Sequence, residues 1–161
     1  MILIVADTGP INYLIQIGCV NVLPELVKNV VLPASVLREL RSEGAPTEVR
    51  KWAENLPNWI DVKIAISLMP EHPELSLADR EAISLARETE ALLLIDDRRA
   101  RLAATDQAVR TIGTMGILEA AAAKRLISLP STLQRLRATN MFISAELFTQ
   151  ALQRDSARRG D

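Results

Sequence analysis

Asp96 and Asp97 close the apolar run that begins at Ala91 in ALLLIDDRRAR, and Asp7 closes a second run in ILIVADTGP. Carboxylates gathered at strand ends repel and raise one another's pKa unless a divalent cation neutralises them, which points to a Mg²⁺ or Mn²⁺ site. For Asp7 a plainer role stands beside this one: with Thr8 it caps the following helix, as aspartate and threonine often do.

Two further acidic residues suit the same site. On a helix starting near Ala78, Asp79 shares a face with Ala82, Ile83 and Ala86, so a carboxylate heads an apolar stripe. Ser76 three residues earlier also makes Asp79 half of a capping box, and a first-turn carboxylate can cap while facing a crevice. Glu81, two residues on, is rotated to roughly the opposite side and is expected in solvent. Glu39 flanks the stripe of Val36, Leu37 and Leu40 in ASVLREL; a surface glutamate is the ordinary reading, and its place just after a strand favours the functional one. Arg98, Arg99 and Arg101 follow the acidic pair, where they reach a substrate phosphate or are simply solvated.

The elements that must hold these residues alternate along the chain. Short apolar runs at 2–6, 30–32, 60–64 and 92–95, with a weaker one at 110–112, read as strands, and most of them lack polar alternation, which suits strands covered on both faces, as in a parallel sheet. Helical patterns occupy 34–41, 47–55, 78–90, 98–105 and 115–125, and a first helix starts at Gly9 or Pro10 with Thr8 as its N-cap. This order is that of an α/β three-layer fold, whose functional crevice lies beyond the carboxyl ends of the strands, where Asp7 and Asp96 fall. Pro70 and Pro73 make 68–75 a surface loop. Beyond Pro130 two amphipathic helices, 131–138 and 144–159, follow with no strand between them; residues 1–128 form the main domain and 129–161 a helical extension packed on it, frayed at 158–161.

Composition narrows the chemistry. The chain has 161 residues, 48% of them apolar, enough for one domain with a sizeable core. A net charge of −1 gives no bulk attraction for nucleic acid, so any such contact needs a local basic patch. Cys19, the only cysteine, excludes an internal disulfide and a thiolate zinc site; it reads as a core residue suited to a reducing cytoplasm. His72, the only histidine, lies in the proline-bounded loop, so no histidine triad can form. No membrane span, targeting segment or glycine-rich phosphate loop is visible.

As a set, Asp7, Glu39, Asp79, Asp96 and Asp97 on an alternating α/β chain resemble the PIN-domain ribonucleases. The DTGP opening, the SLADREAISLA helix, the IDDRRAR turn and the TIGTMGILEAAAAKRL segment look closest to the domain of unknown function 3368 branch, related to VapC-type toxins. The resemblance implies a three-layer PIN-like fold with a mainly parallel central sheet, one or two Mg²⁺ or Mn²⁺ ions, and hydrolysis of RNA. It places Asp7, Glu39, Asp79 and Asp96 with Asp97 in catalysis, with Asp7, Asp79, Asp96 and Asp97 as metal ligands and Thr8 supporting the first aspartate. Asp96 is the better family match of the pair, and Asp97 is a second ligand or the cap of the next helix. A small antitoxin and a homodimer are the partners it implies besides RNA. Two other classes compete: a PIN-like scaffold that binds RNA or protein without cutting, and a receiver-like domain that accepts phosphate on aspartate, which the late acidic pair and the lack of a strand-end lysine disfavour.

Overall fold

The computed structural model of the chain describes residues 2–160. Among them five strands form one all-parallel sheet: β1 (Ile4–Ala6), β2 (Val30–Pro33), β3 (Ile60–Lys63), β4 (Leu92–Leu94) and β5 (Thr111–Ile112), in the order β3-β2-β1-β4-β5. The helices between them are α1 (Thr8–Gln16), α2 (Leu23–Leu26), α3 (Ala34–Leu40), α4 (Thr47–Glu54), α5 (Leu77–Thr89), α6 (Arg98–Asp106) and α7 (Thr114–Ala123), followed by α8 (Leu129–Arg137) and α9 (Ala145–Arg159). The three-layer α/β/α fold expected from the alternation is therefore the observed one. A short 3-10 turn at Val20–Val22 and α2 are additions that the apolar pattern did not mark.

Strand side chains alternate between two cores, as the two-residue period of a pleated strand requires. Ile4, Ala6, Val30, Leu32 and Leu94 point into the larger core with α1, α3, α4 and α7. Val5, Val31, Leu93 and Ile95 point the other way onto Ala82, Ile83 and Ala86 of α5 and Ala100, Ala103 and Ala104 of α6. Small residues on α5 and α6 let both helices lie close to the sheet. Leu129, Leu133 and Leu136 of α8 and Phe148 and Ala151 of α9 belong to the larger core, so the C-terminal helices share the apolar interior with β1 and β2. Cys19 is buried there, and His72 is exposed in an irregular segment, both as expected.

Three local expectations are corrected. β3 is not covered on both faces: it is an edge strand in which only Ile60 is buried, and Ile64 lies past its end at 72% exposure. α1 starts at Thr8, with Asp7 rather than Thr8 at the N-cap position. At the C-terminus α9 runs to Arg159, with Arg158 and Arg159 both paired to the buried Asp155 one turn earlier, so 158–159 lie inside the helix and not beyond its end, while Asp161 lies outside the described residues.

Candidate functional site

The sheet order reverses direction at β1, with β2 and β3 on one side and β4 and β5 on the other. A crevice opens at the carboxyl ends of strands flanking such a switch point, because the connections leave in opposite directions. Asp7 follows β1 and Asp96 follows β4, and the Asp7 N–H donates to the Leu94 carbonyl at 2.9 Å, locking the two strand ends together.

Asp7 is buried to 7% exposure, and its side chain makes no capping hydrogen bond, so capping is not what the carboxyl does. Its Oδ1 is buried without a hydrogen-bond partner. Burial first, and then the negative charge of Asp79, push its pKa up to about 7; Glu39 adds in the same direction, and the Thr8 N–H opposes them. Three carboxylates from β1, α3 and α5 thus share one electrostatic environment.

Each neighbour is held by its own element. Ser76 and Asp79 form the full capping box of α5: the Asp79 N–H donates to Ser76 Oγ and the Ser76 N–H to Asp79 Oδ2, both at 3.0 Å. Asp79 therefore caps its helix and acts on Asp7 at once, the combined role open to a first-turn carboxylate. The Thr8 hydroxyl, half-buried at the start of α1, donates to Glu39, so the residue after Asp7 orients the carboxylate of α3.

Glu81 corrects the sequence expectation outright. It is buried at 8% exposure, accepting the Ser35 N–H at 2.9 Å and the Ser35 hydroxyl at 2.7 Å through the same oxygen. α5 is covered on two sides, by the sheet and by α3, so the side opposite the Asp79 stripe is not solvent. The missed signal was spacing: Glu81 lies three residues after Ala78 and four before Leu85, both buried. Ser35 stands one helical turn before Glu39, so this bond sets where α3 presents its carboxylate.

Asp96 is held differently from Asp7. Its Oδ1 accepts the Thr114 N–H at 2.7 Å and its Oδ2 the Thr114 hydroxyl at 2.6 Å, so the start of α7 fixes both oxygens. Thr114 is fully buried and was not singled out from sequence; a Gly-Thr pair opening a helix was the available signal. Gly113 permits the arrangement, since a Cβ there would stand 2.8 Å from Asp96 Oδ1 and 3.2 Å from a terminal nitrogen of Arg101. Asp97 is exposed and caps α6, accepting the Ala100 N–H at 3.0 Å. Asp96, Arg101 and Gly113 line a cleft of about 420 Å³, and Glu39, Arg38 and Ser35 line another of about 260 Å³. Arg99 makes an exposed pair with Glu74, and Arg98 is exposed on the first turn of α6.

The donor set is all oxygen, the kind that hard divalent cations take, and the orphaned Asp7 oxygen in a carboxylate environment fits such an ion. Among the described residues, no three His, Cys, Asp or Glu side chains already stand together as a ready-made cage.

The family model described as DUF3368, PIN domain, matches residues 3–157. This chain is a PIN-domain protein of the DUF3368 family. The PIN-domain assignment agrees with a solved relative: a PilT N-terminus domain protein from the hyperthermophilic archaeon Sulfolobus solfataricus P2 is 15% identical, with a TM-score of 0.52 over 89% of this chain and all of its own. At that identity the likeness shows the fold alone. No curated protein matches the chain. The PIN domain carries a nuclease-type fold, and none of the described helices is long and apolar enough to cross a membrane.

Proposed function

We propose that the chain is a Mg²⁺- or Mn²⁺-dependent endoribonuclease that hydrolyses RNA phosphodiester bonds, and that it serves as the toxin of a type II toxin-antitoxin pair. The observation that carries the catalytic part is Asp7: a buried carboxyl with an unpaired oxygen, at the switch point of a PIN-domain sheet, between two other carboxylates. The toxin part follows the DUF3368 resemblance to VapC-type proteins, for which a small covering antitoxin and a homodimer are the expected partners.

Asp7, Asp79 and Asp96 would hold the principal cation, with Glu39 or Asp97 orienting water or a second ion. Such an ion, when bound, supplies an acidified water and neutralises charge on the phosphodiester. The Thr8 hydroxyl fixes the Glu39 carboxylate, and Thr114 holds Asp96 in one rotamer, so neither group has to be ordered when substrate arrives. Arg101, beside Asp96 and Gly113, and the exposed Arg98 would meet a substrate phosphate, while Arg99 pairs with Glu74.

Asp7→Asn and Asp96→Asn, assayed on single-stranded RNA with Mn²⁺, are expected to lower cleavage about 10²-fold or more while the far-UV spectrum stays unchanged. Intact metal-dependent cleavage in both variants would sink the assignment. A non-cutting scaffold is the second reading, favoured by Asp96 already having both oxygens engaged by Thr114. Calorimetric titration separates the two: no heat of binding at millimolar Mg²⁺ or Mn²⁺ selects the scaffold.

A further inference from the structure

β3 stands at the end of the sheet, paired with β2 alone. Val30 donates its N–H to the Trp59 carbonyl across from it, in a register that pairs Val30 with Ile60 and Leu32 with Val62. In a parallel ladder of that register Trp59, Asp61 and Lys63 turn their backbone groups toward β2, and Val62 turns its N–H and C=O outward. The open edge is accessible, with exposed apolar side chains alternating with Asp61 and Lys63. Val62, Ile64 and Ile66 are 42%, 72% and 94% exposed at a spacing of two, in a chain that buries nearly all its other large aliphatic side chains along the sheet.

The segment reads Ile60-Asp61-Val62-Lys63-Ile64, which is symmetric in character about Val62. We propose that β3 is the contact surface for a second copy of this chain, pairing antiparallel with its counterpart about a two-fold axis at Val62 and joining the two sheets into one. Antiparallel pairing about that point sets Val62 opposite Val62, and the outward groups of the two valines exchange both hydrogen bonds. Asp61 then stands directly opposite the other copy's Lys63, and Lys63 opposite its Asp61, on one face of the ladder. These are non-hydrogen-bonded positions, where side chains approach most closely, so two opposite-charge pairs form. Ile60 falls opposite Ile64, so the exposed Ile64 lies within the paired stretch, and Ile66 lies beyond it with its N–H donated to Glu88. An unrelated strand meets a charged, short edge of the kind that resists pairing. A second copy alone brings the complementary charges in the complementary order, which makes the surface isologous.

The proposal is independent of whether the acidic crevice cuts RNA, and its test reads mass. In sedimentation velocity of the full chain, the wild type is expected as a reversible dimer. Asp61→Lys sets lysine against lysine and Lys63→Asp sets aspartate against aspartate, so each is expected to weaken dimerisation about tenfold or more. The double variant D61K/K63D restores opposite pairs and is expected to restore the dimer. Val62→Pro removes an outward N–H that β2 does not use, and is expected to give a folded monomer. A wild type that stays monomeric through the high-micromolar range overturns the proposal. So does a dimer indifferent to the single reversals, or a double variant that is folded by circular dichroism and still monomeric.

Discussion

Between about pH 4 and pH 7 the Asp7 carboxyl keeps its proton in the folded chain and loses it in the unfolded one, because its folded pKa is about 7 and its ordinary value 3.8. The unfolded chain binds fewer protons across that window, so stability falls as the pH rises through it and stays lower above it. In a metal-free buffer the cost at pH 8 is at most about 4 kcal/mol, for a shift of roughly three units. Asn in place of Asp7 has no charge to bury. The Asp7→Asn protein is therefore expected to melt higher than the wild type at pH 8 and near it at pH 4, by calorimetry with a chelator present. Superimposable pH profiles would refute the buried-carboxylate account. Addition of Mn²⁺ at pH 8 is expected to raise the melting temperature of the wild type more than that of the variant, which keeps Asp79 and Asp96 but has no buried charge at position 7 for the cation to neutralise.

At the scale of elements the site depends on how α3 lies against α5. Glu81 joins them by taking both the backbone N–H and the hydroxyl of Ser35, and Glu39 rides one turn further along the same helix. Glu81→Ala leaves the Ser35 N–H and hydroxyl without their acceptor in a buried place, at a cost of about 1–3 kcal/mol. Glu81→Gln keeps an accepting oxygen and is expected to recover most of that loss in chemical denaturation. Equal losses for the alanine and glutamine variants would show that the bond to Ser35 is not what holds the helices. The same comparison applies to RNA cleavage, where the alanine variant is expected to fall further than the glutamine one because Glu39 loses its fixed place beside Thr8.

For the whole molecule, the two cores divide the work unequally. The smaller one, between the sheet and α5 and α6, is closed by small residues. The larger is completed from the C-terminal helices, by fully buried Leu133, Leu136 and Ala151 and by nearly buried Phe148, whose ring also receives the Arg137 guanidinium at 4.6 Å from its centroid. Removing residues 129–160 strips those side chains and bares the α7 face they cover. Burial of each large one is worth about 1.5–3 kcal/mol, so the total approaches the full stability of an ordinary domain. A chain ending at residue 128 is expected to lose cooperative thermal unfolding. A sharp transition near the wild-type temperature would show instead that 1–128 folds by itself.

Alternating apolar runs and helical spacings were enough to determine the strand count, the parallel three-layer plan and the helices from α3 onward, because uninterrupted Val, Ile and Leu stretches have few places to go but a covered sheet. The same reading chose Asp7, Glu39 and Asp79, three carboxylates that the fold does bring into one environment. What it could not reach were facts that arise between elements. Glu81 reads as a polar residue turned away from one stripe, and only the packing of α3 on α5 makes its side buried and partnered. The roles of Asp96 and Asp97 parted only when α7 offered Thr114 to the first and the turn of α6 offered Ala100 to the second. Ile60 to Ile64 alternates apolar and charged residues, and its place at the end of the sheet leaves Val62 and Ile64 exposed while Ile60 is buried. A local pattern records which side chains avoid water; which neighbour takes them in is settled by contacts distant in the chain, and those belong to the tertiary structure.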